Sequence, residues 1–391
     1  MSASGEPVAV DRYRHWLDGL LGVPVTDGNA VEVLRNGDQI FPAMLDAVRT
    51  ARCTIDFLTF IYRKGSIGAE LGEALAERAA AGVRVRVLLD AMGAGSIDRS
   101  VLEELRAAGA HVEWFRPLSN PRVWETTHRG HRKLLICDGT LAFTGGVGIA
   151  DEWLGDALDP TQWRDTHFRV RGPAVNALRG TFVNNWAETG RPLFDEGLDR
   201  FEPQPVAGST PIQVVRGGAR TGWGDIPTLV AVLLSLACHR VRIAAAYFVP
   251  DKGTLALLCD TARRGVTVDL LINGAHADKR LSRLASEAQY ATLLEAGVRV
   301  RCFRPTMLHQ KLISVDGAVA SVGSANFNSR SLVLDEEVNL VVLDPEVVEI
   351  LDGHFEADLQ RAEHIDPDAW AQRAVTQKAL EVVPGFLARH L

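Results

Sequence analysis

The chain has 391 residues, of which 47% are hydrophobic and 23% charged, with a formal net charge of −7 at pH 7. That composition fits a soluble globular protein long enough for two domains, and its acidity excludes a general nucleic-acid coat, because phosphate-backbone binders present a basic surface. The five cysteines, Cys53, Cys137, Cys238, Cys259 and Cys302, are odd in number, scattered and without a CxxC pair, which argues against a disulfide framework or a zinc ribbon.

The first residues, MSASGEPVAVDRYRHW, lack a basic segment followed by an apolar one, and no run of about 18 apolar residues occurs anywhere, so neither a signal peptide nor a membrane span is expected. Residues 1–30 read as an N-terminal extension. A β-rich run, TIDFLTFIY, leads to a helix with Ile67, Leu71 and Leu75 at helical spacing after Ser66 as its cap, and then to the alternating strand VRVRVLL. A second helix, RSVLEELRAAG, ends at Gly109, a residue type that tolerates the left-handed C-terminal cap. The run KLLICDGTLAFTGG reads as a tight hairpin turning at Asp-Gly.

The same order then recurs. GVRVRVLLD (82–90) is answered by GVTVDLLI (265–272), LRAAGAHVEWFRP (105–117) by LLEAGVRVRCFRP (293–305), and HRKLLICDGTLAFTGGVG (131–148) by HQKLISVDGAVASVGSAN (309–326). VRIAAAYFV matches the first strand, and SEAQYATLLEAG ends at Gly297 as its counterpart does at Gly109. Between the shared FRP and the histidine the first copy carries ten extra residues, within LSNPRVWETTHRG. The chain thus reads as a duplicated α/β unit, copy one over 31–195 and copy two over 211–391. A Pro, Gly and acid-rich seam spans 191–210, with 196–210 as the linker. Strands alternating with helices imply a largely parallel sheet with helices on its faces.

Within each copy one pair of residues carries the chemistry. Side chains at i and i+2 of a strand share a face, so His131 points with Lys133 and His309 with Lys311. Only six of the 42 Lys+Arg residues are lysine, yet two of those six occupy equivalent places. A generic basic face in this chain would be arginine. Two histidines meeting across a two-fold repeat can divide a displacement at phosphorus, one attacking and one protonating the leaving oxygen, while the lysines neutralise the non-bridging oxygens. Such chemistry needs no metal and no cofactor, and HRGHRK lacks the nearby cysteines or spaced carboxylates of a metal site.

His131-x-Lys133-x4-Asp138 and His309-x-Lys311-x4-Asp316 resemble the paired HxKx4D signature of the phospholipase D superfamily, and the second copy continues into GSANFNSRS as that family does. The wording GVRVRVLLD, TGGVGIADEW, WRDTHFRVRGP, YFVPD and MLHQKLISVDG is most similar to bacterial cardiolipin synthases, in a short form without their N-terminal membrane helices.

The resemblance implies tandem phospholipase D-like domains. Each would be a mixed, mostly parallel sheet flanked by helices, packed with pseudo-two-fold symmetry around one site. It implies a covalent phosphohistidine on His131, with His309 as general acid and then base. An attacking imidazole needs its other nitrogen held by an acceptor. Aligning RGPAVN with LDPEVV sets Asp165 opposite Glu337, and the family pattern crosses them, Glu337 supporting His131 and Asp165 supporting His309. Asp138 and Asp316 complete the motif set, and their place at turns reads as organising the hairpin rather than as acid or base. Ser324 and Asn326 follow the second copy's glycine as groups suited to phosphate oxygens. The first copy offers only the backbone of Gly145 and Gly146, with Gly148 where the family keeps asparagine, and Asp335 likewise replaces an asparagine.

His167, opposite Asn339, reads as a packing residue. Trp124, Arg122 and Arg129 of the insertion are candidates for a lipid-facing mouth, with an ordinary surface loop as the alternative. The resemblance implies phosphatidyl transfer between phospholipids, phosphatidylglycerol foremost, by a cytoplasmic protein peripheral to the inner face of the cell membrane. A hydrolytic phospholipase D or phosphodiesterase is the alternative. A nucleic-acid substrate fits poorly with the acidic charge, and a non-catalytic binding module fits poorly with two intact HxK pairs.

Overall fold

The computed structural model describes residues 10–117, 128–193, 201–218 and 225–373. After helix α1 (Val10–Leu21), the first half runs β1 (Thr26–Arg35), α2 (Asn36–Thr50), β2 (Thr54–Thr59), α3 (Ser66–Ala80), β3 (Arg84–Asp90), α4 (Arg99–Ala107), β4 (His111–Phe115), β5 (Leu134–Cys137), β6 (Leu141–Gly145), β7 (Thr166–Arg171) and α5 (Ala174–Trp186). The second half repeats the plan with β8 (Thr210–Gly217), α6 (Asp225–Leu236), β9 (Arg240–Ala245), β10 (Phe248–Val249), α7 (Lys252–Arg263), β11 (Thr267–Asn273), α8 (Arg280–Glu287), α9 (Tyr290–Glu295), β12 (Arg299–Phe303), β13 (Lys311–Val315), β14 (Val319–Gly323), β15 (Phe327–Asn328), α10 (Ser329–Val333), β16 (Glu337–Val342) and α11 (Pro345–Leu359), closed by β17 (Ala362–His364) and α12 (Pro367–Ala371).

Both halves share one fifteen-stranded sheet, ordered β17-β12-β11-β9-β13-β14-β16-β8-β1-β7-β6-β5-β2-β3-β4. The pseudo-two-fold lies between β8 and β1, which pair antiparallel across a bulge. The sheet is mixed, and its parallel share is smaller than the strand–helix alternation suggests: β2, β3 and β4 run parallel, as do β9, β11 and β12. The hairpins β5–β6 and β13–β14 and their neighbours add antiparallel pairs. The reason is local, since an Asp-Gly turn returns the chain beside itself whereas a crossover helix does not.

Helices α5 and α11 cover one face of the sheet over a single core spanning both halves, with Phe182, Trp186, Leu351 and Phe355 fully buried. On the opposite face α2, α3 and α4 cover the first half, and α1, α6, α7 and α9 the second. Each buried Leu or Phe contributes about 1.5–3 kcal/mol, and this shared core runs across the seam between the halves. Helix α1 falls in the stretch expected as an extension, yet Tyr13, Leu17 and Leu21 are buried in the second half's core, and β1 already begins at Thr26.

One local expectation changes. Ser66 is the first residue of α3 rather than its cap: the carboxylate of Asp151, distant in sequence, accepts from the Ser66 and Ile67 amides at 2.9 and 3.0 Å. The strand VRVRVLL is buried on both faces although two arginines alternate along it. Arg86 is tolerated inside because Asp56 takes it bidentately at 2.6 and 2.8 Å and Phe182 lies under its guanidinium.

Candidate active site

The two HxK segments meet across the seam through backbone first. The His131 amide donates to the Glu336 carbonyl at 2.9 Å, and the His309 amide to the Arg164 carbonyl at 2.7 Å, the same contact made twice under the pseudo-two-fold. Each contact leaves the next residue of the opposite half beside the imidazole. Thus Nδ1 of His131 lies 2.9 and 3.0 Å from the two carboxylate oxygens of Glu337, and Nδ1 of His309 lies 2.7 Å from Asp165 Oδ2. Lys133 Nζ donates to the His131 carbonyl and Lys311 Nζ to the His309 carbonyl, both at 2.6 Å, so each ammonium is folded against its own histidine. The basic run that opens with His128 makes no surface patch: Arg129, Arg132 and Lys133 are all buried.

Burial controls the protonation of this cluster. It pushes His131 down to about 4 and His309 to about 3, against the raising influence of Glu337 and Asp165, so both imidazoles are neutral near pH 7. Burial also lowers Lys133 to about 7 and Lys311 to about 8. Although burial pushes Glu337 and Asp165 up, the facing histidine and lysine charges hold both below the ordinary carboxylate range.

The two carboxylates are supported differently. Ser324 donates to Glu337 at 2.5 Å and Ser331 donates to its other oxygen. Asp165 instead accepts from the indole of Trp153 at 3.0 Å and the Thr166 amide at 2.8 Å. Aromatic rings wall both histidines, Phe60 against His131 and Trp153, Trp163 and Tyr247 around His309.

Several expected ligands of phosphate have other partners. The Ser324 hydroxyl is committed to Glu337, and the Gly146 amide to the Thr166 carbonyl. A Cβ on Gly146 would lie 2.3 Å from Asp165, and one on Gly145 would lie 2.6 Å from His167 Nδ1, so these glycines admit the carboxylate and β7 at close range. A Cβ on Gly148 would lie 2.6 Å from Ile61, whose side chain fills the place an asparagine would take. Asn326 keeps the second-half position, buried with its Oδ1 unpartnered among the described residues, beside a cavity of about 10 Å³ shared with Lys311 and Asn339.

Asp138 and Asp316 are not with the histidines. Each lies at the far end of its strand in a turn with both central residues left-handed, Asp138 at φ 51° before Gly139 at 63°, and Asp316 at 54° before Gly317 at 66°. The Asp138 carboxylate accepts the amides of Arg52, Cys53 and Thr54, and Asp316 those of Cys238, His239 and Arg240. They clamp the entry of the neighbouring strand rather than the hairpin alone.

Trp124 and Arg122 lie outside the described residues. Arg129 does not face lipid: it is 1% exposed, and its guanidinium lies 3.5 Å from Asp90 and donates to the Arg116 carbonyl at 2.9 Å. Asp335 accepts from the Arg129 amide and the Arg330 side chain, and burial raises it to about 6. His167 is buried, with Nδ1 unpartnered among the described residues.

Two positioning residues escaped the sequence reading, Asp90 and Asn273, the last residues of β3 and β11. Asp90 accepts the amide of Gly130, the residue before His131, at 2.9 Å, and Asn273 accepts the amide of Leu308, the residue before His309, at 2.6 Å. The signal was present in VLLD against LLIN, a short polar side chain ending each apolar strand. No group of three His, Cys, Asp or Glu residues suited to a metal occurs among the described residues.

Residues 44–155 and 230–359 match a family model described as cardiolipin synthase, PLD-like domain. The chain is 31% identical to cardiolipin synthase 1 of Bacillus anthracis over 92% of its own length and 72% of that protein, and 34% identical to the cardiolipin synthase of a Geobacillus species over 93% and 73%. In three dimensions it resembles a phosphatidylserine synthase of Haemophilus influenzae, with a TM-score of 0.74 at 15% identity, covering 97% of each chain.

Proposed function

The chain belongs to the cardiolipin synthase family of phospholipase D-like proteins and is a phosphatidyltransferase, and from that premise we propose that it joins two phosphatidylglycerol molecules at a membrane surface into cardiolipin and glycerol. The observation that carries this reading is the crossed pair, each histidine held at Nδ1 by a carboxylate of the opposite half with a lysine beside it. Holding Nδ1 fixes the tautomer and leaves Nε2 for chemistry.

In the first step Nε2 of His131 attacks the phosphorus of one phosphatidylglycerol. The bond to the glycerol oxygen breaks, and protonated His309 gives that oxygen its proton. Both imidazoles are neutral in the free site, so the phosphodiester's charge, offsetting Lys133 and Lys311, draws the proton onto His309. In the second step the hydroxyl of another phosphatidylglycerol attacks the phosphohistidine while His309 takes its proton. The phosphorus–nitrogen bond breaks and its electron pair returns to His131. Glu337 stabilises the imidazolium character that develops on His131, and the lysines neutralise the non-bridging oxygens.

No helix among the described residues is long and apolar enough to cross a membrane, and the five free cysteines suit a reducing compartment. The reading is therefore of a peripheral enzyme on the inner face of the membrane. Incubation with labelled phosphatidylglycerol in vesicles tests it: cardiolipin with free glycerol is the expected outcome, and phosphatidic acid alone would replace transfer by hydrolysis.

A further inference from the structure

Four exposed apolar side chains follow the pseudo-two-fold: Met92, Leu158, Leu281 and Val333. Met92 lies between β3 and α4, and Leu281 near the start of α8, where the chain has left β11. Leu158 lies between β6 and β7, and Val333 between β14 and β16. These are the same two connections of each half, and they hold the site. Asp90 and Asn273 stand where the first kind begins, and Asp165 and Glu337 where the second kind ends. The two-fold that relates the halves passes between His131 and His309, so equivalent connections surround one mouth at a similar height. The other exposed large apolar side chains among the described residues are Trp16 and Leu20 on α1, Phe201 and Val206 in the seam, and Ile350 on α11.

Leu158 is 72% exposed, and its loop presents it rigidly. Ala157 before it is wholly buried and left-handed at φ 56°, a conformation costly for a residue with a Cβ. The Ala157 carbonyl accepts from Arg361 at 2.6 Å, and the Leu158 amide donates to the Gln162 side chain at 3.1 Å. The same connection carries Trp163 to the His309 imidazole, with ring centres 5.5 Å apart. Charge does not set this end of the fold apart. Lys64, Lys252 and Lys279 are exposed here, but Asp98 lies 3.2 Å from Lys64, and Asp251 and Asp278 directly precede the other two.

We propose that Met92, Leu158, Leu281 and Val333 form the membrane-docking face, dipping into one monolayer of a phospholipid bilayer around the mouth. The inference rests on the membrane-surface reading above and deepens it by naming the face. The occupant follows from the substrate. A phosphatidyl group reaches the histidines when its phosphate rises out of the bilayer while its acyl chains stay in it, so the end of the fold that admits the phosphate lies against lipid. The opposite end of the HxK strands is taken up by the Asp138 and Asp316 clamps. Apolar contacts on one side of the axis alone would let the protein tilt, whereas one pair from each half sets the docking plane across the axis. Two lipids of one monolayer then meet the two-fold mouth on equal terms.

The test is flotation with vesicles of phosphatidylglycerol and phosphatidylcholine, comparing the unaltered protein with Leu158→Gln/Leu281→Gln, one change in each half, and with Trp16→Gln/Leu20→Gln on α1. All four side chains are exposed, so the fold does not depend on them. Binding of the first variant should fall on the order of tenfold, and its turnover on vesicles with it. Its turnover of dihexanoylphosphatidylglycerol as dissolved monomers should match that of the unaltered protein. The α1 variant should float as the unaltered protein does, and about 0.5 M salt, which screens charge, should not release either. Undiminished flotation of Leu158→Gln/Leu281→Gln beside a floating unaltered protein overturns the face alone. An equal loss in the α1 variant, or release by salt, overturns it as well. An unaltered protein that does not float would overturn the membrane-surface reading and the face with it.

Discussion

The carboxylate oxygens of Glu337 stand 2.9 and 3.0 Å from Nδ1 of His131, although the two residues are 206 positions apart and belong to different halves of the chain. Glu337 is wholly buried and receives two serine hydroxyls, so it is fixed before His131 leans on it.

Glu337→Gln keeps the shape but replaces an anionic acceptor by an amide, which no longer favours the tautomer with its proton on Nδ1 or the cation formed on attack. Turnover of phosphatidylglycerol should fall on the order of 10²–10⁴-fold, with little change in thermal stability. A loss smaller than tenfold in initial rates would mean that the buried carboxylate does not orient the imidazole.

The pH profile follows from burial. His131 remains neutral until the pH falls to about 4, so its lone pair is available throughout the neutral range and is lost only below that. Lys133 at about 7 and Lys311 at about 8 lose their charge as the pH rises, which removes the cations facing the phosphate. Vesicle assays should show kcat/KM declining above pH 7 to 8. Lys133→Arg should start from a lower rate, since a planar guanidinium fits the ammonium's place poorly, but should decline less on the alkaline side.

Asp138 should prove structural. Asp138→Ala strips an acceptor from three backbone amides at the entry of β2 and should cost about 1–3 kcal/mol, read as a lower urea midpoint. Corrected for folded fraction, its turnover should remain within a few-fold. Turnover lost from fully folded protein would return the residue to the chemistry.

Gly148 is closed by Ile61. Gly148→Ala should cost about 1–3 kcal/mol by overpacking, and because the atom 2.6 Å away is the Ile61 Cβ, the cost should be smaller in an Ile61→Gly background, with both effects visible in melting temperature. A neutral Gly148→Ala would show that the Ile61 contact can relax.

The sequence by itself determined the duplication, the strand–helix alternation at the centre of each copy, both HxK pairs and the alignment that sets Asp165 opposite Glu337. These features depend on local periodicity, turn chemistry and self-comparison, all of which lie along the chain. The Asp-Gly turns and the left-handed glycines at 109 and 297 were legible for the same reason. What only the tertiary structure decided is what meets what across the fold. The Ser324 hydroxyl faces Glu337 instead of a phosphate, Arg129 lies inside against Asp90, Asp151 caps a helix 85 residues earlier, and Asp90 and Asn273 hold the residues before the histidines. A polar side chain's partner is chosen by burial, which makes an unpaired group costly, and burial is set by the packing of the whole sheet rather than by any segment of it.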